Sequence, residues 1–464
     1  MLPKIPRHEM AIVIRLFAFC FFAGSSYTLA KTAADSLFLS RIGSASLAVE
    51  FLAAGVATAL FATLWLWAAR NIYIGRLLRI TSSVLAVFYI VLWWKLPVMH
   101  HSFGLLSLVY VLAEIKGCLY AIVAISAMNE MLGRKASRQS WATVLLGFSL
   151  AAIIVGTAVG FESQFWDADN WLLVAGLLDL AAILPGVGIL AAQNKRRNTA
   201  KELRRSESNG QAEELTDSAQ AHEESHHEES HHDTEEDLLS KIATQWLPLT
   251  KYADAETFAR WFSILIGAKV LVLTLVAFNW KVSVNEFLGP SERSLATFFG
   301  WYYAMAGAAT LVVQFFVTGR LLANKSVVFP IIVLPSMILL LVALLVIGGG
   351  VGMGVAFAFY VTTAAKSMDA WRRSTHDTAI HLLYTGVKKR KRRGLIGHNH
   401  GLVKPGAEIA AGIVLVSSTF WFQNLVLTLA SVVWLFATLV IIGIVRSRNR
   451  WANMKKLLTR RTRD

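Results

Sequence analysis

The sequence predicts an all-α membrane protein of twelve transmembrane helices arranged as two six-helix bundles. Three observations carry this. Hydrophobic residues, 55% of the 464, gather in runs of about 20, the length that crosses a hydrocarbon core of ~30 Å. Charged residues make up only 16%, well below the roughly 25% of soluble chains. The basic residues sit between the runs and crowd every second loop.

Taken in order, the first run covers 10–30, after Lys4 and Arg7. It is long enough to stay as a span and lacks a small-residue cleavage site, so no cleavable leader is expected. Spans at 46–69 and 79–98 flank a loop with Arg70, Arg76 and Arg79. Spans at 103–130 and 140–161 flank Arg134, Lys135 and Arg138, and the next loop is acidic, with Glu162, Asp167 and Asp169. The sixth span is 171–193. Spans at 257–280, 295–318 and 326–348 follow, with Arg320 and Lys325 between the last two. The glycines from Gly348 to Gly354 read as a turn before a tenth span at 350–366. An amphipathic stretch over 367–387 is expected in the cytoplasmic interface or along the gate. The basic block Lys388-Lys389-Arg390-Lys391-Arg392-Arg393 precedes spans at 406–422 and 424–446.

This alternation places both termini in the cytoplasm. It also accounts for the net charge of +15 by topology, so no nucleic-acid partner is expected. Fifteen Trp and 26 Phe suit interfacial belts and helix seams. Cys20 and Cys118 lie in separate spans and read as packing residues.

Residues 194–243 break the apolar pattern. The chain thus divides into an N-terminal six-helix bundle (1–193), a cytoplasmic acidic, His-rich, disordered linker (194–243), a C-terminal six-helix bundle (244–446) and a basic cytoplasmic tail (447–464). Six plus six spans joined by a long linker is the plan of the major facilitator transporters. The linker holds His222, His226, His227, His231 and His232 among glutamates. Imidazole and carboxylate suit Zn²⁺, Ni²⁺ or Cu²⁺, which makes these five candidate ligands for a divalent metal. The plainer reading is a solvated spacer. No other cofactor is expected.

Ionisable groups inside spans are costly and mark a water-filled path or a partner. Lys31 and Asp35 are placed at the end of the first span, Glu114 and Lys116 in the fourth, Asp179 in the sixth, Lys269 and Lys281 in the seventh. Glu114 and Lys116, two apart, face different neighbours. Asp179 is read as pairing within the N-terminal half. Lys269, midway along its span, is the strongest candidate for a cavity cation, with a structural ion pair as the alternative. Lys31 and Lys281 occupy corresponding outer ends in the two halves, where snorkelling is the bland alternative. Four lysines against Asp35 and Glu114 favour an anionic substrate. No Walker-type loop and no catalytic constellation is present, so transport without ATP hydrolysis is expected and enzymatic activity is not.

Several stretches resemble the ATP/ADP translocases, the nucleotide-transporter branch of the major facilitator clan. Ser26-Tyr27-Thr28-Leu29-Ala30-Lys31-Thr32-Ala33-Ala34-Asp35-Ser36-Leu37 is similar to that family's first-span motif. Ala113-Glu114-Ile115-Lys116-Gly117 and Met128-Asn129-Glu130 resemble its fourth-span pattern. Phe278-Asn279-Trp280-Lys281, Thr297-Phe298-Phe299-Gly300, Gln314 to Arg320, and Arg372-Arg373-Ser374 with Leu382-Leu383-Tyr384 follow in the family's order. Ala34 stands where the family has a lysine, Lys31 where it has an arginine, and Lys116 where it has a tryptophan. Lys404-Pro405 replaces an acidic residue before the proline. The resemblance implies a multi-pass protein of the bacterial inner membrane, a small-molecule substrate and anion exchange. The intramembrane charges and this resemblance together give Lys31, Asp35, Glu114, Lys116, Lys269 and Lys281 as the expected substrate-binding residues, Lys269 from its mid-span position alone, and Asn129, Glu130, Arg372 and Arg373 as the expected gate residues. A monomer in the bilayer suffices. Competing readings are a carrier of a siderophore-like or peptide-derived metabolite, and a non-transporting membrane sensor or assembly factor.

Overall fold

A computed structural model describes residues 7–69, 72–131, 134–217, 255–318, 328–385, 395, 398–417 and 419–461. The described residues form helices almost throughout. In the N-terminal half α1 is Arg7–Arg41, α2 Leu47–Ala69, α3 Ile74–Lys95, α4 Phe103–Met131, α5 Arg134–Glu162 and α6 Ala168–Asp217. In the C-terminal half α7 is Ala255–Leu288, α8 Glu292–Val312, α9 Val328–Gly350 and α12 Phe420–Arg461. The tenth crossing, α10, is a chain of shorter pieces over 354–385: Gly354–Ser367, Asp369–Trp371, a π turn at Arg372–His376, and Asp377–Thr385. The eleventh, α11, is Lys404–Ser417, entered through a π turn at Asn399–Val403.

Helix is the form a spanning chain takes, because lipid cannot satisfy backbone N–H and C=O groups. Segments such as α9, apolar on all sides, have no amphipathic stripe to bury against water and belong in lipid. Among the described residues ten helices, α1 to α9 and α12, are long and apolar enough to cross. The helical parts of α10 and α11 are 14 residues each before their interruptions, too short alone. Joined through their π turns they complete twelve crossings. The chain is a multi-pass membrane protein with the two-bundle fold that the apolar runs predict.

Two boundaries differ from the sequence reading. The first span does not stop at residue 30; α1 continues to Arg41. The seventh does not stop at residue 280; α7 continues to Leu288. Lys31, Asp35 and Lys281 therefore lie inside helices, where partners take up their charge. For the stretch over 367–387 only the interfacial alternative fails. Through Thr385 it continues α10 into the protein, with Asp369, Ser374, Thr375 and His376 buried, and does not lie flat at an interface. Helix α6 extends past its apolar part to Asp217, so 194–217, expected as part of the disordered linker, is helical. The five linker histidines and the 388–393 basic block lie outside the described residues.

Successive helices alternate in direction. One face of the bundle carries the start of α1 and the end of α12; call it the terminal face. The opposite, far face carries the turns at Gly43, Gly289 and Gly352, all with positive φ, a conformation that glycine adopts without steric cost. The halves meet along α2–α11 and α5–α8. Both seams need missing side chains. A Cβ on Gly156 would stand 2.6 Å from the Gly300 carbonyl oxygen and 2.6 Å from the Ala304 nitrogen. One on Gly412 would stand 2.6 Å from Leu52 Cα. Small residues let transmembrane backbones touch directly.

Candidate functional site

The charged side chains gather on α1, α4, α7 and α10, in two layers. Lys269 and Lys281, twelve residues apart on α7, set the layers about 18 Å apart at 1.5 Å per residue.

The far layer joins the halves. Lys281 Nζ donates to Asp35 Oδ1 at 2.7 Å and to the Tyr110 hydroxyl at 2.6 Å. Lys31, one turn before Asp35, pairs with the same oxygen at 3.2 Å and with Glu114 of α4. The Tyr303 hydroxyl of α8 donates to the other Asp35 oxygen at 3.2 Å. Both ammonium groups also lie over the Tyr110 ring, at 4.6 Å for Lys31 and 4.5 Å for Lys281. Asp35 is fully buried, Lys31 is 6% and Lys281 3% exposed. That burial excludes snorkelling for both lysines. Glu114 keeps about a third of its side chain accessible, so this layer has an open edge.

The remaining charges lie mainly on α10 and run from the level of the far layer, where Lys366 lies 5.8 Å from the Trp280 ring, to the Lys269 layer at Asp377. The π turn of α10, a distortion that recurs at functional sites, sits between Asp369 and Asp377. Asp369 holds Lys366 at 2.7 Å and Arg372 at 3.0 Å. Asp377 holds Lys269 at 2.9 Å, with His376 Nδ1 3.4 Å away. The predicted cavity cation Lys269 is thus ion-paired. Arg373 is exposed, and among the described residues its charge reaches Asp369 without a close ion pair. Its charge also reaches Tyr302 of α8 in its own half and Tyr27 of α1 across the seam. Tyr27 is seated by Gly117 of α4, where a Cβ would stand 2.6 Å from its ring.

Lys116 is elsewhere. With Asp179 it forms a fully buried pair inside the N-terminal half, 2.8 Å apart. Ser26 accepts from the same ammonium, the Tyr89 ring lies 4.0 Å from it, and Tyr120 donates to Asp179 at 2.5 Å. The arrangement is closed, with both side chains of the pair fully buried. Asp179 pairs within its own half, and Glu114 and Lys116 reach different partners, as their spacing predicts. Asn129 and Glu130 lie in the last turn of α4, and their side chains are outside the described residues.

The excess of lysine over acid read from the sequence disappears, because Asp179 and Asp377 complete four pairs. A different excess replaces it. Around the seam, six cations (Lys31, Lys269, Lys281, Lys366, Arg372, Arg373) face four carboxylates (Asp35, Glu114, Asp369, Asp377).

At the far face, Arg41 ends α1 and bonds Glu292 of α8 at 3.0 and 3.2 Å and Asp169 of α6 at 2.8 Å. The second Glu292 oxygen accepts from the Ala168 N–H at 3.0 Å. This clamp ties the two halves together. Sequence reasoning missed it because each residue sits at a helix end, where charges are ordinary. An apolar groove of about 610 Å³ lies apart from the charges, between α7 and α12, lined by Ile264, Gly267, Leu271 and Leu429.

No protein-family model matches this sequence, and no curated protein matches it. Solved structures do resemble the fold. The xylose transporter XylE from E. coli, in a partially occluded inward open conformation, superposes with a TM-score of 0.60 at 8% identity, over 94% of this chain and 99% of that one. The peptide transporter POT in complex with sulfate gives 0.59 at 11% identity over 95% of each chain. A mutant of the nucleoside transporter NupG gives 0.55 at 10% identity, over 93% of this chain and 99% of that one. Identities this low speak for architecture alone, and the architecture they share with this chain is the major facilitator fold.

Proposed function

We propose that this chain is a secondary active transporter that moves a small anionic solute, nucleotide-like or another phosphorylated or carboxylated metabolite, across the bacterial inner membrane by alternating access. The observation that carries this reading is the buried Lys281–Asp35 bridge between the two halves. A buried ion pair across a seam is a poor way to gain stability, because desolvation offsets most of the attraction. It is a good way to make a seam that an incoming charge can open. Phosphate or carboxylate oxygens offer lysine what Asp35 offers it. The exposed Arg373 and the cation excess favour an anion. Lys31, Asp35, Glu114 and Lys281 would form one end of the substrate site. Lys269, Arg372 and Arg373 would form the other, nearer the cytoplasm, with Asn129 and Glu130 as further gate residues. The named transport activities of the structural neighbours agree with the class, and the resemblance to ATP/ADP translocases agrees with the anion.

The positive-inside pattern supports a cytoplasmic terminal face and an outer far face. The Arg41–Glu292–Asp169 clamp is then an outer gate, shut in this state. The linker would remain on the cytoplasmic side, with its histidines as candidate metal ligands.

A thermal-shift screen of the purified protein tests the anion. A ligand at 100 times its dissociation constant stabilises by about 2.7 kcal/mol. Nucleotides or phosphorylated or carboxylated metabolites should stabilise the wild type, and Arg373→Gln should lose the shift. Stabilisation by neutral peptides or sugars alone, unchanged in Arg373→Gln, would overturn the anionic assignment.

A further inference from the structure

Glu50 is a carboxylate that the sites above do not use. It lies in the first turn of α2, at the far end, and is 1% exposed. One oxygen accepts a hydrogen bond from the Ser107 hydroxyl of α4. The other is buried and meets no donor. It therefore does not cap its own helix, the ordinary use of a first-turn glutamate.

The elements packed on α2 supply no cation for it. On α4 the nearest titratable group is Tyr110, one turn beyond Ser107, which already accepts from Lys281. On α7, Lys281 lies 5.2 Å from the neighbouring Phe51 ring but is held by Asp35 and Tyr110. On α11, Glu408 meets α2 lower down, at Gly55, and its nearest cation is Lys404 at 3.9 Å. The short turn Ser44–Ser46 carries no charge. A buried carboxylate with no cation is far costlier than a neutral acid in the same place.

We propose that Glu50 is a proton-binding site, occupied in this outwardly closed state, and that the proton is the coupling ion of the transport reading on which this inference rests. The O–H bond of the acid breaks, the proton passes to water on the outer side, and the electron pair stays on the carboxylate. The carboxylate, unpaired in its slot between α2 and α4, then favours the conformation that lets water reach it. Closing again requires a proton from outside.

Two measurements on the full chain in liposomes, neither needing a solute, test this. The first is the infrared carbonyl stretch of a protonated carboxylic acid, followed while pH rises. It should persist to neutral pH in the wild type, vanish in Glu50→Gln and survive in Glu408→Gln. The second is the distance between spin labels at Ala45→Cys and Ser291→Cys, both exposed on the far face, with Cys20→Ala and Cys118→Ser removing the native thiols. Alkaline pH should lengthen it in the wild type and leave it short in Glu50→Gln. The proposal is overturned if the wild type lacks the band, if Glu50→Gln keeps it, or if the distance response is the same in both proteins. Because neither readout involves transport, failure of the proton site stays separate from failure of the transporter reading.

Discussion

Two lysines of one sequence pattern meet different fates, and the difference is testable side by side. Lys116 is enclosed within one bundle and Lys281 bridges two. Removing one partner of a buried pair leaves an uncompensated charge and costs about 3–5 kcal/mol, whereas replacing both by apolar groups is often near neutral. Lys116→Met should destabilise by about that amount in thermal unfolding, and Lys116→Met with Asp179→Leu should recover most of it together with transport. Lys281→Gln with Asp35→Asn should likewise recover stability. Its transport should remain down by ~10-fold or more, the worth of about 1.4 kcal/mol or beyond at the seam. Recovery of transport in that second pair would show that the bridge is scaffolding only.

At the scale of elements, the far-face clamp and the α5–α8 seam govern opening. Arg41→Gln or Glu292→Gln removes the bonds between α1 and α8, so a cysteine at Ser40 should react faster with a membrane-impermeant thiol reagent. An unchanged labelling rate would mean that the clamp does not limit opening. Gly156→Leu forces a side chain against the backbone of α8; overpacking of this kind costs about 1–3 kcal/mol. Most of the twelve crossings were legible because apolar runs and loop charges report topology directly. The ends of α1 and α7 were not. Lys31 and Lys281 read as boundaries because a lone charge seldom sits deep in lipid, and the sequence does not display Asp35 and Glu114 as their partners in space. Asp369 and Asp377 were hidden for a related reason. The charges of α10 make it look like surface helix, although in space they pair with one another and with Lys269 of α7.

Taken whole, the molecule is two bundles whose covalent link passes through the linker. If that segment is a spacer, deleting 215–238 should leave uptake unchanged with and without zinc. A zinc response lost on deletion would assign the histidines a regulatory role. The cation excess is also a property of the whole, since it is assembled from four helices in both halves. Neutralising Arg373 should weaken anion binding and flatten its dependence on salt more than neutralising Lys366, which Asp369 already holds.

The contact between Gly156 on α5 and Gly300 on α8 has a mechanical meaning. Where main chain rides on main chain, no rotamers must be rearranged as the bundles tilt. Such a point behaves as a fulcrum: nearly stationary itself, and easy to turn about. It lies six residues from the end of α5 at the far face and more than twenty from its start. The lever arms are unequal. A small loosening of the far-face clamp would swing the terminal-face ends of α5 and α8 through a much larger arc, so the molecule should open wider on the terminal face than on the far face.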